Sequence, residues 1–216
     1  WDVLRGGPGN DVLRLGSAAE AEFYGGAGND TLDGSGGGIF NASVLYIDSP
    51  AAVRADLATN TVQDGWGGTD TLIAIDGVGG SHFNDTLIGS AGDDRFLGSL
   101  GNDSIAGGAG FDIAYYGIED GAGAVTVNLA TGRSSGAEGN DTLRGMEGVR
   151  GSEFGNDVLI GNGSANLLSG AEGRDTLTGG GGADIFLFDA SPFEAGHDDR
   201  VTDFVSGVDR MQLDVA

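Results

Sequence analysis

The chain has 216 residues, 44 of them glycine and none cysteine, and its 33 acidic against ten basic residues give a formal charge of −23. An ordinary core-driven globule is a poor match for that composition, disulfides and thiolate metal sites are excluded, and the lopsided acidity selects cations rather than nucleic acid as partners. The longest apolar stretches are only a few residues, which excludes membrane insertion through a helix.

From the N-terminus, GGPGNDVLR (6–14) and GGAGNDTLD (25–33) share one template: glycine first, Asp sixth (Asp11, Asp30), an apolar residue eighth. Between and after them, GSAAEAEFY (16–24) and GSGGGIFNA (34–42) keep the first glycine but carry Ala21 and Ile39 in place of the Asp. Residues 1–48 therefore read as an eroded block of nonapeptides, with gaps expected at the two substituted levels. Trp1 opens in mid-repeat, which predicts a piece of a longer protein.

Residues 49–120 form a fuller unit. Val53-Arg54-Ala55-Asp56-Leu57 alternates like a half-buried strand, GWGGTDTLI (65–73) supplies Asp70, and a connector carries Ile75 and Val78. GSHFNDTLI, GSAGDDRFL, GSLGNDSIA and GGAGFDIAY then follow in phase and place Asp85, Asp94, Asp103 and Asp112 nine residues apart. An offset of 72 reproduces this order in 121–188, with one residue lost before Asp141 and regained before Asp157: VTVNL (125–129), GAEGNDTLR with Asp141, a connector with Met146 and Val149, a copy one residue longer ending in Asp157, then Asn166, Asp175 and Asp184. From Asp189 the glycines thin out and Pro192, Phe193, Phe204 and Met211 enter, so 189–216 is expected to cap the stack.

The template has a physical reading. Glycines at positions one, two and four allow left-handed backbone and close carbonyl approach, making a tight turn. Positions seven to nine make one short rung of a sheet, with Leu13, Leu32, Leu72, Leu87, Phe96, Ile105, Leu143, Leu159, Leu168, Leu177 and Phe186 as the expected core. Two nonapeptides close one 18-residue coil, so Asp85 should stack on Asp103, Asp94 on Asp112, Asp157 on Asp175 and Asn166 on Asp184. Asp11 and Asp30 are 19 apart. Carboxylates a few ångströms apart repel by about 4 kcal/mol at an effective dielectric near 20. Calcium resolves this, because it takes about six to eight oxygen ligands and a turn offers carboxylates and carbonyls together. Magnesium is too demanding in geometry, and transition metals lack ligands beyond His82 and His197. The spacing thus predicts a chain that folds on binding several Ca2+ ions and is disordered without them.

These repeats resemble the repeats-in-toxin (RTX) family, across nearly the whole chain. The resemblance implies an all-β fold, a right-handed parallel β-roll (solenoid) with calcium between coils, and a C-terminal cap similar to that of serralysin-type proteins exported by type I secretion. It also implies the ligands: carbonyls at positions two and four plus the Asp of one turn, with carbonyls at positions one and three plus the Asp of the turn 18 residues later. One site would then use Ser81, Phe83, Asp85, Gly98, Leu100 and Asp103, and a second Ser90, Gly92, Asp94, Gly107, Ala109 and Asp112. The same rule assigns Gly7, Gly9 and Asp11 with Gly25, Ala27 and Asp30; Glu153, Gly155 and Asp157 with Gly170, Glu172 and Asp175; and Asn162, Ser164 and Asn166 with Gly179, Gly181 and Asp184. Asp70 and Asp141 enter as carboxylates, and the neutral Asn166 predicts a weakened site. The implied protein is a secreted, extracellular or surface module of bacterial origin, with the type I secretion machinery as a partner. Two other readings stand beside it: a self-associating structural component (adhesin, surface layer or filament), or an accessory module of a secreted protease, lipase or alginate epimerase.

Simpler accounts fail on the residues. A flexible linker has no reason to hold Asp in phase with an apolar position. No Lys follows the glycines as a phosphate loop requires, and an EF-hand beginning at Asp33 or Asp189 has Val44 or Arg200 where the bidentate Glu belongs. No HExxH and no Ser-His-Asp arrangement stands out, so no catalytic or cofactor-binding residue is assigned and the chain is read as non-enzymatic. Asp33, outside position six, is expected to matter little.

Overall fold

The computed structural model describes residues 2–16, 20–36, 42–117, 123–188 and 198–213. Trp1, Ile39, Asp189, Pro192, Phe193 and His197 lie outside these ranges. The described residues are all-β. Most strands are three residues long, because a nonapeptide that gives six residues to its turn has three left for a rung.

The rungs stack into two mainly parallel sheets. The first has ten strands, in spatial order Asp2–Pro8, Ala21–Ala27, Ala42–Leu45, Gly77–Gly79, Arg95–Leu97, Ile113–Tyr115, Gly148–Arg150, Leu167–Ser169, Ile185–Phe188 and Arg210–Leu213. Every neighbouring pair is parallel and in register, so one inward column runs Leu4, Phe23, Val44, Val78, Phe96, Ala114, Val149, Leu168 and Phe186, continued in register by the exposed Met211. In the second sheet, Leu13, Leu32 and Leu72 align, then Ala55, Leu87, Ile105 and Leu143, then Val127, Leu159, Leu177 and Val201. The expected core residues are buried, except that Leu13 is partly buried against the cluster.

The second sheet has 13 strands because two three-stranded meanders interrupt it. The middle strand Thr61–Gln63 runs antiparallel to Arg54–Asp56 and Thr69–Ile73 on either side, as Arg133–Gly136 does to Val125–Asn128 and Thr142–Arg144. The alternation at 53–57 and 125–129 marks the first strand of each. The middle strand escapes a nonapeptide reading: Asn60, in left-handed backbone at φ 58°, turns the chain so that Val62 enters the core. Each meander runs backward, so Thr69–Ile73 pairs with Thr31–Asp33 of the preceding coil while Arg54–Asp56 pairs with Thr86–Ile88 of the next. Coils adjacent in space are thereby 35 to 40 residues apart in sequence at these levels. At the far end Arg200–Val201 and Arg210–Leu213 add one more rung to each sheet.

Asp33 departs from expectation: it is buried, accepting from Arg14 Nε (2.8 Å), Ser35 N (2.9 Å) and Ser35 Oγ (2.5 Å), and these bonds hold its carboxyl below the usual range.

Removing a large side chain from the inward column leaves a cavity. Phe96→Ala should lower the stability of the calcium-loaded protein by about 3–5 kcal/mol, whereas Val12→Ala, at a site 69% exposed, should change it by about 0.5 kcal/mol or less. Urea unfolding in saturating calcium compares the two, and equal effects would contradict this core.

Candidate metal centre

The turns joining the sheets form two edges, and position-six residues line both. Along the first edge each residue's backbone N–H donates to Oδ1 of the next: Asp11 to Asp30 (2.8 Å), Asp30 to Asp70 (2.9 Å), Asp85 to Asp103 (2.8 Å), Asp103 to Asp141 (2.9 Å), Asp157 to Asp175 (2.7 Å) and Asp175 to Asp199 (2.9 Å). Along the second, Asp94 donates to Asp112 (2.9 Å), Asp112 to Glu147 Oε2 (3.0 Å), Asn166 to Asp184 (2.9 Å) and Asp184 to Asp209 (3.1 Å). The ladders come in threes. Where a new run begins, Oδ1 of Asp85 or Asp157 accepts instead from Val53 N (2.7 Å) or Val125 N (2.8 Å) at the start of a meander.

Position five carries a second ladder in the opposite sense. Asn10, Asn84, Asn102 and Asn156 accept through Oδ1 from the backbone N–H of Asn29, Asn102, Asn140 and Arg174, at 2.8–3.0 Å. The recurrent Asn-Asp pair thus ties each turn to the one before and the one after.

The remaining carboxylate oxygens fall into two groups, sorted by position two. In the turns of Asp85, Asp94 and Asp157, the N–H of Ser81, Ser90 or Ser152 donates to Oδ2 of that aspartate (each 2.5 Å) and closes the turn on its own carboxylate. In the turns of Asp103, Asp112, Asp175, Asp11 and Asp30, position two is left-handed (Ser99 φ 67°, Gly108 111°, Ala171 66°, Gly7 100°, Gly26 93°). There each Oδ2 is buried without a hydrogen-bond partner. A buried unpaired carboxylate oxygen costs several kcal/mol by order of magnitude, so these five atoms mark where a cation is needed.

Two tyrosines close runs. Tyr46 Oη donates to Asp70 Oδ2 (2.8 Å), and Tyr116 Oη (3.1 Å) and Ser134 Oγ (2.7 Å) donate to Asp141 Oδ2. Both tyrosines are buried, and Asp70 and Asp141 have hydrogen bonds at both oxygens.

Carbonyls converge on the same levels. A side-chain carbon on Gly101 would stand 2.5 Å from the Phe83 carbonyl oxygen, so only glycine fits there. The carbonyls of Gly7, Gly9, Ser90, Gly92, Gly155, Asn162 and Ser164, at positions two and four, likewise press on the following turn. Those of Gly25, Gly98, Gly107, Gly170 and Gly179, at position one, reach back to the preceding turn beside its carboxylate or amide oxygen. Leu100, Ala109, Glu153, Glu172 and Gly181 are exposed turn residues, and the Ala27 carbonyl accepts from Gly9 N (2.7 Å). Ser81 sits at its turn's closure on Asp85. Asn166 is used through both amide atoms, accepting from Asn162 N (2.8 Å) and donating to the Glu147 carbonyl (3.1 Å). Ala21 is a buried strand residue and brings no carboxylate to its level. No group of three His, Cys, Asp or Glu side chains converges on one point among the described residues, as expected where most donors are main chain.

The 18-residue count missed Asp76, Glu147, Asp199 and Asp209. Asp76 Oδ1 accepts from Ala42 N (3.2 Å), and the other three close ladders. Each stands two residues before an apolar residue (Val78, Val149, Val201, Met211), and that reduced pattern without glycines was the available signal.

A two-edged parallel β-roll with stacked carboxylates and crowded carbonyls defines a class of ion-laddered solenoids. The RTX calcium-binding nonapeptide repeat (4 copies) model matches residues 1–19, 22–38, 80–114, 135–149 and 153–186, more than half of the chain, and the protein belongs to that family. No curated protein matches the chain. The family is a calcium-binding structural module rather than a catalytic one, its repeats occur in secreted bacterial proteins, and calcium is its cofactor. The orphaned oxygens and converging carbonyls fit such an ion.

Burial pushes the carboxyls of Asp70 and Asp112 up to about 6, of Asp175 to about 7 and of Asp103 to about 8, with neighbouring carboxylates adding to the rise. Asp30, Asp76, Asp85, Asp94, Asp157 and Asp184 are raised by the same first cause. Between the ordinary carboxyl range near 3.8 and these values the calcium-free fold binds more protons than the unfolded chain, so its stability falls as pH rises through that window. Without calcium, acidification from about pH 8 to about pH 5 should therefore raise β-structure, and protons should compete with calcium. Circular dichroism at fixed chelator concentration measures this, and a signal unchanged or lowered at the acid end would contradict it.

Proposed function

We propose that the chain is a calcium-triggered folding module of a larger extracellular protein, unfolded during type I export from a calcium-poor cytosol and ordered outside. The observation that carries the reading is the set of buried Oδ2 atoms without a partner at Asp11, Asp30, Asp103, Asp112 and Asp175. With so little core per coil, binding energy at these levels becomes folding energy.

In this reading one ion lies between the carbonyls of Ser81 and Phe83 with Asp85, and those of Gly98 and Leu100 with Asp103. The corresponding sets on Asp94 and Asp112, Asp11 and Asp30, Asp157 and Asp175, and Asn166 and Asp184 hold others. The Asn166 level is the weakest because its amide is neutral and already hydrogen-bonded twice. Residues 49–120 and 121–188 act as two like units, preceded by the eroded block 1–48 and closed by 189–216.

A second reading, association between copies, draws on one observation. The last strand of the first sheet exposes Met211 (56%) and Leu213 (58%), with Val205 and Val208 nearby, on an edge that carries no further described strand.

Circular dichroism during calcium titration should show a cooperative gain of β-structure. Asp103→Ala should shift the midpoint to roughly tenfold higher calcium, about 1.4 kcal/mol. Full β-structure in chelator at neutral pH, or no response to calcium, would overturn the folding reading. Light scattering in saturating calcium addresses the second reading, where a monomer at every concentration would remove it.

A further inference from the structure

Asp103 lacks the environment its repeat should supply. It is 2% exposed and its Oδ2 has no hydrogen-bond partner. In uninterrupted coils the position-one carbonyl of the following turn reaches the equivalent level: Gly98 O at Gly80 beside Asp85, Gly107 O at Gly89 beside Asp94, Gly170 O at Gly151 beside Asp157. Around Gly98 no such carbonyl comes as close. The nearest atoms to a side-chain carbon there are Asp103 Oδ2 at 2.6 Å, and Asp103 Cγ and Ile105 Cδ1 at 3.5 Å.

The second meander is the cause. Its last turn places Gly136 and Glu138 at positions one and three of the following coil; the hairpin engages the first, Gly136 O accepting from Gly139 N (3.2 Å), while Glu138 O accepts from Gly101 N (2.8 Å) as Ala27 O does from Gly9 N (2.7 Å) in an uninterrupted coil. Asp141, the expected carboxylate, accepts from Asp103 N, Tyr116 Oη and Ser134 Oγ. What the turn brings to this level instead is the Glu138 side chain, 2% exposed, with Oε1 accepting from Gly117 N (2.6 Å). Its charge is among those that act on Asp103.

We infer that the carboxylates of Glu138 and Asp103 together hold a calcium ion at the second meander, the glutamate side chain replacing the position-one carbonyl that the hairpin occupies. This rests on the calcium-binding reading of the ladder. Two carboxylates match the charge of one divalent ion, and Glu138 is long enough to adjust to it, as calcium's flexible coordination allows. The first meander offers a contrast. Asp64 is equally buried, but its Oδ1 accepts from Trp66, Gly67 and Gly68 N (2.9, 2.9 and 2.7 Å) and it serves as the cap of that turn.

The test counts ions bound to the whole chain by native mass spectrometry and calorimetry with calcium alone. Glu138→Gln, which retains an oxygen to accept from Gly117, should bind one ion fewer or bind its weakest ion at least tenfold more weakly. Glu138→Asp should recover part of the loss, and Asp103→Asn combined with Glu138→Gln should lose no more than Asp103→Asn alone. Unchanged stoichiometry and affinity in Glu138→Gln would overturn the inference while leaving the ladder intact. A wild-type chain that binds no calcium would instead remove the reading on which it rests. If the variants do not fold, a crystal structure of the wild type in calcium decides: an ion within about 2.3–2.6 Å of both carboxylates supports the site, and Glu138 oxygens remote from any ion refute it.

Discussion

Carboxylates buried in register along two edges of a narrow roll are the constraint on which the rest of this protein depends. Within a run each later aspartate places one oxygen on the backbone N–H of the preceding turn and so locks neighbouring coils together. In the open turns that same geometry strands the other oxygen away from water and from any donor. The coils are thus joined by the group that makes an empty stack unstable, and a cation with high oxygen coordination reconciles the two. Parallel register follows, since only in-phase stacking keeps both the inward apolar column and the edge ladders aligned.

The meanders divide this arrangement into runs. A new ladder starts where Val53 or Val125 presents a backbone N–H to an aspartate, and an old one stops where Tyr46 or Tyr116 covers Asp70 or Asp141. Hydrogen bonds from the protein here satisfy carboxylates that elsewhere await an ion. The meanders also enlarge the core with Val62 and its partner Ala55 in the first and Val127 in the second, which a bare nonapeptide coil with one apolar side chain per rung does not provide.

Much of this was legible because the signal is strictly periodic. Asp at position six and an apolar residue at position eight determine coil length, core column and ladder partners wherever coils are 18 residues long, as for Asp85 with Asp103 and Asp94 with Asp112. The reading weakened where partners lie 24 to 40 residues apart, as for Asp30 with Asp70, Asp112 with Glu147 and Asp175 with Asp199. Asp33 was undervalued because it and Arg14 stand at position nine, to which the template assigns neither core nor ladder.

Short-range spacing and side-chain chemistry were enough for the class of fold, the rung and turn assignments, the inward residues and the choice of calcium. Tertiary structure decided which coils meet across the meanders, which turns close on their own aspartate, which leave a buried oxygen without a hydrogen-bond partner, and that the Glu138 side chain is buried. Those outcomes depend on where backbone hydrogen bonds are already occupied, as at Gly136 and Glu138. Such occupancy is a property of neighbours in space, and no spacing along the chain records it.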